Sequence, residues 1–445
     1  MIFTPSRFVV VDDKKEHLNA VVAAFDSLGS PCLAIQYSAE DGVKPEPFRG
    51  VRCLMLDLHL VDNVQGSAHD RHYGVLTSIL EQVISPTGGP YLLILWTEHP
   101  DRGEEFQKYL DAHIAPEKVH AIPVAVIPMS KSEFINVKTG VEQSPGKILD
   151  QIKSNLSSVP QLAALLQWES DTHIATGETI ASVLEMIPST VSGVGARLAA
   201  LSSILCQIAI ATVGLKNIEK NKRDAISAAL VPILADRVAN QPQTVEQTSL
   251  WDSAVSVPTG GPPNLSDLAR AGANTMLHIS FPPNDKAGPS GWGSVVGLDS
   301  KLWTSDKKMQ DRFGATATEI LTEHKARPES KDKIKPVLIR LGAPCDHAQQ
   351  NPTSLVYVLG LLAPVSAMQQ AKRRESIWVS PEIQVKGYSE PSSLHANASY
   401  MVTFTRTEAK KLSFMFRLRE TLMMELVGKV AGHSSRSGII SFRKV

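Results

Sequence analysis

The sequence predicts an α/β chain: a doubly wound parallel five-stranded domain, then a helical region, then a small β-rich C-terminal domain. Three observations carry this. In the first 135 residues, short continuous apolar runs alternate with amphipathic stretches, the pattern of a parallel sheet covered on both faces. Residues 147–240 hold apolar positions at helical spacing, and a polar stretch rich in Pro and Gly, Asn240 to Pro262, separates them from the C-terminal third. That last third offers short β-branched and aromatic runs between Gly, Pro and Asn. At 445 residues the chain exceeds what one core serves, and domains are expected at 1–140, 147–240 and 263–445.

The first strand is "FVVVDD". From Lys14 onward, Leu18, Val21, Val22, Phe25 and Leu28 recur at helical spacing until Gly29 ends the helix. "PCLAIQY", "VRCLMLDL", "YLLILWT" and "AIPVAVIPMSK" supply the other four strands. In the middle region Ile148, Ile152 and Leu156 keep one face, and Pro160 opens a helix continued by Leu162, Leu165 and Leu166. The run "LAALSSILCQIAIATVGL", Leu198 to Leu215, is uncharged and just long enough to cross a bilayer. Its Ala and Ser content, Gln207 in mid-run and the lack of an aromatic belt predict a buried helix of a soluble bundle instead. In the C-terminal domain "NTMLHIS", "GWGSVVGL", "PVLIRLG", "LVYVLGLL", "SIWVSP" and "SYMVTFTR" read as strands of a partly closed sheet. Met415, Leu418, Leu422, Leu426 and Val430 then form one face of a final helix.

Lys plus Arg and Asp plus Glu both total 45, so overall charge gives no reason to expect a polyanion or an acidic membrane as partner. The front is acidic, with 12 Asp/Glu against 7 Lys/Arg in residues 1–100, and the tail basic, with 9 Lys/Arg against 3 Asp/Glu in residues 401–445. Arg417, Arg419, Lys429, Arg436, Arg443 and Lys444 make that tail a surface for an acidic partner or for the chain's own front. Aromatic residues among them are sparse, so nucleic acid is not favoured. Cys32, Cys53, Cys206 and Cys345 lie far apart without metal-ligand spacing, and "MIFTPSRF" lacks the pattern of a secretion signal. A cytoplasmic protein with no membrane partner is the expectation.

Chemistry concentrates at the strand ends. The first strand ends in Asp12 and Asp13, the third in Asp57, the fourth in Thr97 and the fifth in Lys131. In a doubly wound sheet these ends share one edge, where the functional crevice lies. Three carboxylates at one edge repel one another unless a hard divalent cation sits among them, and Mg²⁺ suits such an oxygen cage.

This order of an acidic pair, an Asp, a Thr and a Lys resembles the receiver domain of bacterial response regulators, over roughly the first third of the chain. The resemblance implies a flavodoxin-like fold with Asp57 as phosphoacceptor, taking its phosphoryl group from a histidine kinase or phosphotransfer protein. It implies Asp12, Asp13 and Asp57 as Mg²⁺ ligands, and Thr97 and Lys131 as contacts to the phosphoryl oxygens. Glu98 stands where the family usually has a small residue, and Ser132 where it has Pro. The expected function is a two-component signalling switch, not an enzyme, with the middle and C-terminal regions passing the signal to an unknown output protein. The alternative is a pseudo-receiver scaffold or adaptor; large receiver proteins of this layout resemble components of prokaryotic antiviral defence systems.

Competing motifs are weaker. A haloacid-dehalogenase-type phosphatase needs a second carboxylate two residues after its nucleophile, where this chain has His59. "GVEQSPGKI" is one residue too long for a phosphate-binding loop and puts Ile148 where a hydroxyl is needed, which predicts an ordinary helix start. His69 and His72 read as loop polarity. Cys345, Asp346 and His347 read as a buried thiol at a turn, not a nucleophile beside its base.

Overall fold

The computed structural model describes residues 5–27, 29–61, 69–143, 146–282, 287–343, 347, 353–371 and 374–435. Leu28, Cys345, Asp346, Arg436, Arg443 and Lys444, and the side chain of His69, lie outside the described set. The chain forms two compact units: Met1–Ala181 with Leu234–Val257, and Ser182–Ile233 with Pro258–Val445. The helical stretch expected at 147–240 is thus divided between them.

In the first unit, β1 (Phe8–Asp12), β2 (Cys32–Gln36), β3 (Cys53–Asp57), β4 (Leu92–Thr97) and β5 (Ala125–Ser130) form one sheet in the order β2-β1-β3-β4-β5. Every neighbouring pair is parallel, as the continuous apolar runs predict. Alternation along each strand sends side chains to two cores. Val9, Val11, Leu54, Leu56, Leu93 and Leu95 pack with α2 (His69–Val83) and α3 (Gly103–His113). Val10, Met55, Ile94 and Trp96 pack with α1 (Lys15–Asp26), through Leu18, Val21 and Phe25. After β5 come the single turn α4 (Lys131–Phe134), then α5 (Lys147–Ser157) and α6 (Pro160–Glu185). Ile148, Leu149 and Ile152 of α5 and Leu162 of α6 complete the second core, so "GKI" is a helix start whose Ile is fully buried.

The helices α7 (Val194–Val213), α8 (Lys222–Ala239), α9 (Val245–Ala254) and α10 (Asp267–His278) come next. Helix α7 is the uncharged run, and it corrects the expectation of a buried helix. Only 6% of its apolar 18-residue window is buried, although it is long and apolar enough to cross a membrane. Periodicity and composition report that a helix needs cover; they do not report whether its own chain supplies it.

The second unit holds an antiparallel seven-stranded sheet, ordered β10-β11-β9-β8-β7-β12-β6. Its strands are β6 (Ile279–Ser280), β7 (Ser294–Gly297), β8 (Lys335–Arg340), β9 (Ser354–Pro364), β10 (Ile377–Val379), β11 (Ser392–Thr405) and β12 (Ser413–Leu418). The sheet is open, with β10 and β6 at its edges. Two readings need correction. "NTMLHIS" is the end of α10, capped at its start by Ser266 accepting from the Ala269 amide, and only Ile279 and Ser280 are strand. Met415 and Leu418 lie on β12, while the last helix is Glu420–Ser434 with Leu422 and Leu426 buried. The spacing from Met415 through Leu422 fits a helix by coincidence, because the strand ends at Leu418 and the helix begins at Glu420, with only Arg419 between them.

One contact ties the loop after α4 to α1. An isolated bridge pairs Ile135 with Glu142, and at Gly140 (φ 67°) a Cβ would sit 2.5 Å from the Glu16 carbonyl oxygen. Gly140→Ala combines backbone strain with a clash against main chain that cannot rotate away, and is expected to cost about 1–3 kcal/mol. Urea unfolding of the variant measures it; a midpoint equal to the parent's contradicts the close approach.

Candidate functional site

The site forms where the strand order reverses between β1 and β3, at their carboxyl ends. Asp12 and Asp57 are the last residues of β1 and β3, Thr97 is the last of β4, and Lys131 is the first residue after β5. Asp57 is in register with Trp96, which sets Thr97 one residue farther along the neighbouring strand. All four side chains are buried.

The centre of the arrangement is the Lys131 ammonium. Its Nζ lies 2.7 Å from Asp12 Oδ2, 2.8 Å from Asp57 Oδ2 and 3.2 Å from His17 Nδ1. The other oxygen of each carboxylate is held by backbone: the Lys14 amide donates to Asp12 Oδ1 at 2.9 Å, and the His59 amide to Asp57 Oδ1 at 3.1 Å. The His99 amide likewise donates to Thr97 Oγ1 at 3.1 Å. Three adjacent strand ends thus repeat one device, a side-chain oxygen accepting from the amide two residues on, which fixes where each side chain points.

Asp13 completes an acidic group: Asp12, Asp13 and Asp57 each present an oxygen within 4.8 Å of the others. Asp13 Oδ1 is buried and has no hydrogen-bond partner among the described residues. With one ammonium against three carboxylates, the pocket carries excess negative charge, which only a proton or a cation removes. Burial, then the neighbouring Asp12 and Asp57 carboxylates, push Asp13 up to about 6. Burial also raises Asp57, and the Lys131 charge only partly opposes it. Asp12 goes the other way: burial favours its neutral form, but His17, Lys131 and the Lys14 amide together hold it below the usual carboxylate range. An all-oxygen set with one orphaned atom fits a hard divalent cation such as Mg²⁺.

His17 was missed by sequence reasoning. It sits in the first turns of α1, on the face that buries Leu18 and Val21, where a lone His reads as one more covered residue. Its Nε2 lies 2.9 Å from the Val137 carbonyl, which only accepts, so Nε2 carries a proton and Nδ1 faces Lys131 and Asp12 Oδ2 (3.5 Å). The hydrogen bond with Asp12 is the main cause of its raised pKa. The only sequence signal was its place, four residues beyond the acidic pair.

A second unforeseen grouping lies near Asp57. The ring of His59 is 4.9 Å from that of His72 and 5.4 Å from that of His99. Burial first, then electrostatic repulsion from His72, His99, Arg102 and Lys131, brings His59 down to about 4, so it is neutral at physiological pH. His72 therefore does more than supply loop polarity. Glu98, beside Thr97, is exposed. Of the Cys345–His347 run only His347 is described, and it lines a cavity with Asn217, Lys220 and Asp224.

Comparison of the chain with protein families, with curated proteins and with solved structures gives no match.

Asp13 titrates near 6 when folded and near 3.8 when unfolded, so the folded state binds the extra proton between those values. The stability that this proton brings is complete below about pH 4 and is lost as pH rises through about 6. In metal-free buffer Asp13→Asn is therefore expected to raise Tm at neutral pH, an advantage that fades on acidification toward pH 4. A divalent cation held by these carboxylates would compete with the same proton, so the affinity measured calorimetrically with Mg²⁺ as the probe is expected to fall as pH drops through 6. An affinity flat across that window would remove Asp13 from the cation site.

Proposed function

We propose that the N-terminal unit is a receiver-type phosphoacceptor that works with Mg²⁺, and that the rest of the chain conveys its state to a protein partner in the cytoplasm. The observation that carries this reading is the bridging of two strand-end aspartates by one buried lysine, beside a third carboxylate with an unsatisfied oxygen. The strand order is also that of the flavodoxin-like folds to which receivers belong.

In this reading Asp57 Oδ2 attacks the phosphorus of a phosphohistidine on a kinase or phosphotransfer protein. A P–O bond forms as the P–N bond breaks, and the departing imidazole takes a proton. Asp12, Asp13 and Asp57 would hold Mg²⁺, which supplies neutralisation of the phosphoryl charge. Lys131 exchanges its contact with Asp57 for a phosphoryl oxygen, and the Thr97 hydroxyl donates to another. Because Lys131 opens α4, its shift moves that turn, whose Phe134 ring lies 6.2 Å from Trp96.

A second reading, a scaffold that takes no phosphoryl group, is favoured by one observation: Lys131 already satisfies both Asp12 and Asp57, so the pocket is paired without a ligand. Beryllofluoride separates the two. With Mg²⁺ it is expected to give a saturable change in tryptophan fluorescence that is lost in Asp57→Asn and in Trp96→Phe. No change in the parent protein, with Mg²⁺ binding intact, would establish the scaffold.

A further inference from the structure

The amino end of the first sheet carries a second polar site, built from arginine where the carboxyl end uses aspartate. Arg7 immediately precedes β1, and Arg52 immediately precedes β3. With Arg49, in the turn before β3, they are three of the four arginines in the acidic first 100 residues. Arg7, Arg49, Gly50, Ser85, Thr87 and Glu169 line a cavity of about 620 Å³ there, and all of them belong to the first unit. Strand β3 runs from this end to Asp57, which sets the cavity on the order of 16 Å from the acidic pocket.

The charges around the cavity do not balance. Glu169, on α6, is gripped by Arg52: its Oε2 lies 3.0 Å from Arg52 Nε and its Oε1 3.3 Å from Arg52 Nη2. This two-point contact commits the carboxylate to Arg52, whose Nη1 also donates to the Gly88 carbonyl at 2.7 Å. Arg7 touches the same Glu169 Oε2 at 3.0 Å, and Arg49 has no ion pair among the described residues. Three guanidinium groups against one carboxylate leave an excess of two positive charges. Neutral donors complete the lining. The Ser85 and Thr87 hydroxyl oxygens are 3.4 Å apart, too far for a firm bond between them. The Gly50 amide donates to no carbonyl among the described residues.

Such a lining selects among anions. Guanidinium groups, hydroxyls and a main-chain amide all donate, and two excess positive charges match a phosphoryl group, which carries about −1.5 to −2 at neutral pH on three acceptor oxygens. A single carboxylate brings half that charge. The volume falls within the range of about 300–1,000 Å³ typical of small-molecule sites, which leaves room for more than a phosphate ion.

We propose that this cavity binds a phosphorylated small molecule, with Arg7 and Arg49 holding its phosphoryl group and the Arg52–Glu169 pair fixing the wall behind it. Binding here needs neither Mg²⁺ nor Asp57, so metal-free buffer keeps the acidic pocket out of the measurement. Isothermal titration calorimetry of the full chain, with pyrophosphate as the probe, is expected to show one saturable site per chain and much weaker binding of succinate. Arg7→Ala and Arg49→Ala should each weaken pyrophosphate about tenfold or more. Arg71→Ala, in the first turn of α2 at the carboxyl end of the sheet, should leave it unchanged. Arg49 and Arg71 are exposed and Arg7 is half-buried, so none of these substitutions empties the core, and an unchanged circular dichroism spectrum checks the fold. No saturable heat with pyrophosphate, equal affinity for succinate, or binding that survives the two substitutions combined overturns the proposal. So does an equal loss in Arg71→Ala, because binding would then follow net charge and not this cavity.

Discussion

A single ammonium group sets the terms for the N-terminal unit. Lys131 is buried, and so are the two carboxylates it bridges. Removing the ammonium would leave buried carboxylates without their counterpart inside the domain, a loss of about 3–5 kcal/mol, whereas Lys131 would keep one partner if either carboxylate were removed. The parallel sheet brings the three together: β1, β3 and β5 all end at one edge, so side chains 119 residues apart in sequence close to 2.7 Å. What the lysine does not do is balance the pocket. Asp13 is the remainder, raised toward neutrality by burial and then by its acidic neighbours.

The same lysine draws a helix and a loop into the site. His17 reaches Lys131 and Asp12 with one nitrogen and the Val137 carbonyl with the other. Val137 belongs to the loop that Gly140 presses onto the Glu16 backbone. Any displacement of Lys131 therefore alters a hydrogen-bonded path that ends in the segment between β5 and α5. This is a physical connection between the pocket and the part of the chain that leads out of the sheet.

The first sheet was legible because its strands are continuous apolar runs with chemistry-bearing residues at their ends, and a parallel sheet aligns those ends. Asp12, Asp57, Thr97 and Lys131 could be placed together on that ground alone. His17 could not: its partner Val137 lies 120 residues away, and nothing in a helical pattern marks one covered imidazole as bonded. The grouping of His59 with His72 and His99 was hidden for a similar reason, since it joins the ends of β3 and β4 to the start of α2. In the second unit the errors were of period. Asn274 to His278 continue a helix whose N-cap is eight residues earlier, while Met415 and Leu418 sit at helical spacing on a strand. Local spacing does not distinguish a strand that runs into a helix from one longer helix. The exposure of α7 is a different matter, because amino-acid sequence encodes the need for burial but not the identity of the covering surface.

Asp12 and Asp57 share a lysine, yet their surroundings push them apart, and that difference bears on which could act as nucleophile. Asp12 receives a backbone amide and the ammonium and lies beside the His17 ring, so its charged form is stabilised from three directions. Asp57 receives one amide and the same ammonium, and burial leaves its charged form the less favoured of the two. In the proposed reading, a carboxylate whose lone pairs are committed to donors would be a poor attacker, whereas one held ionised mainly by Lys131 would gain reactivity once an incoming phosphoryl group drew that lysine away. For the proposed phosphoacceptor the asymmetry suits Asp57 as the nucleophile and Asp12 as a fixed ligand, on electrostatic grounds separate from the strand-end pattern that first singled out Asp57.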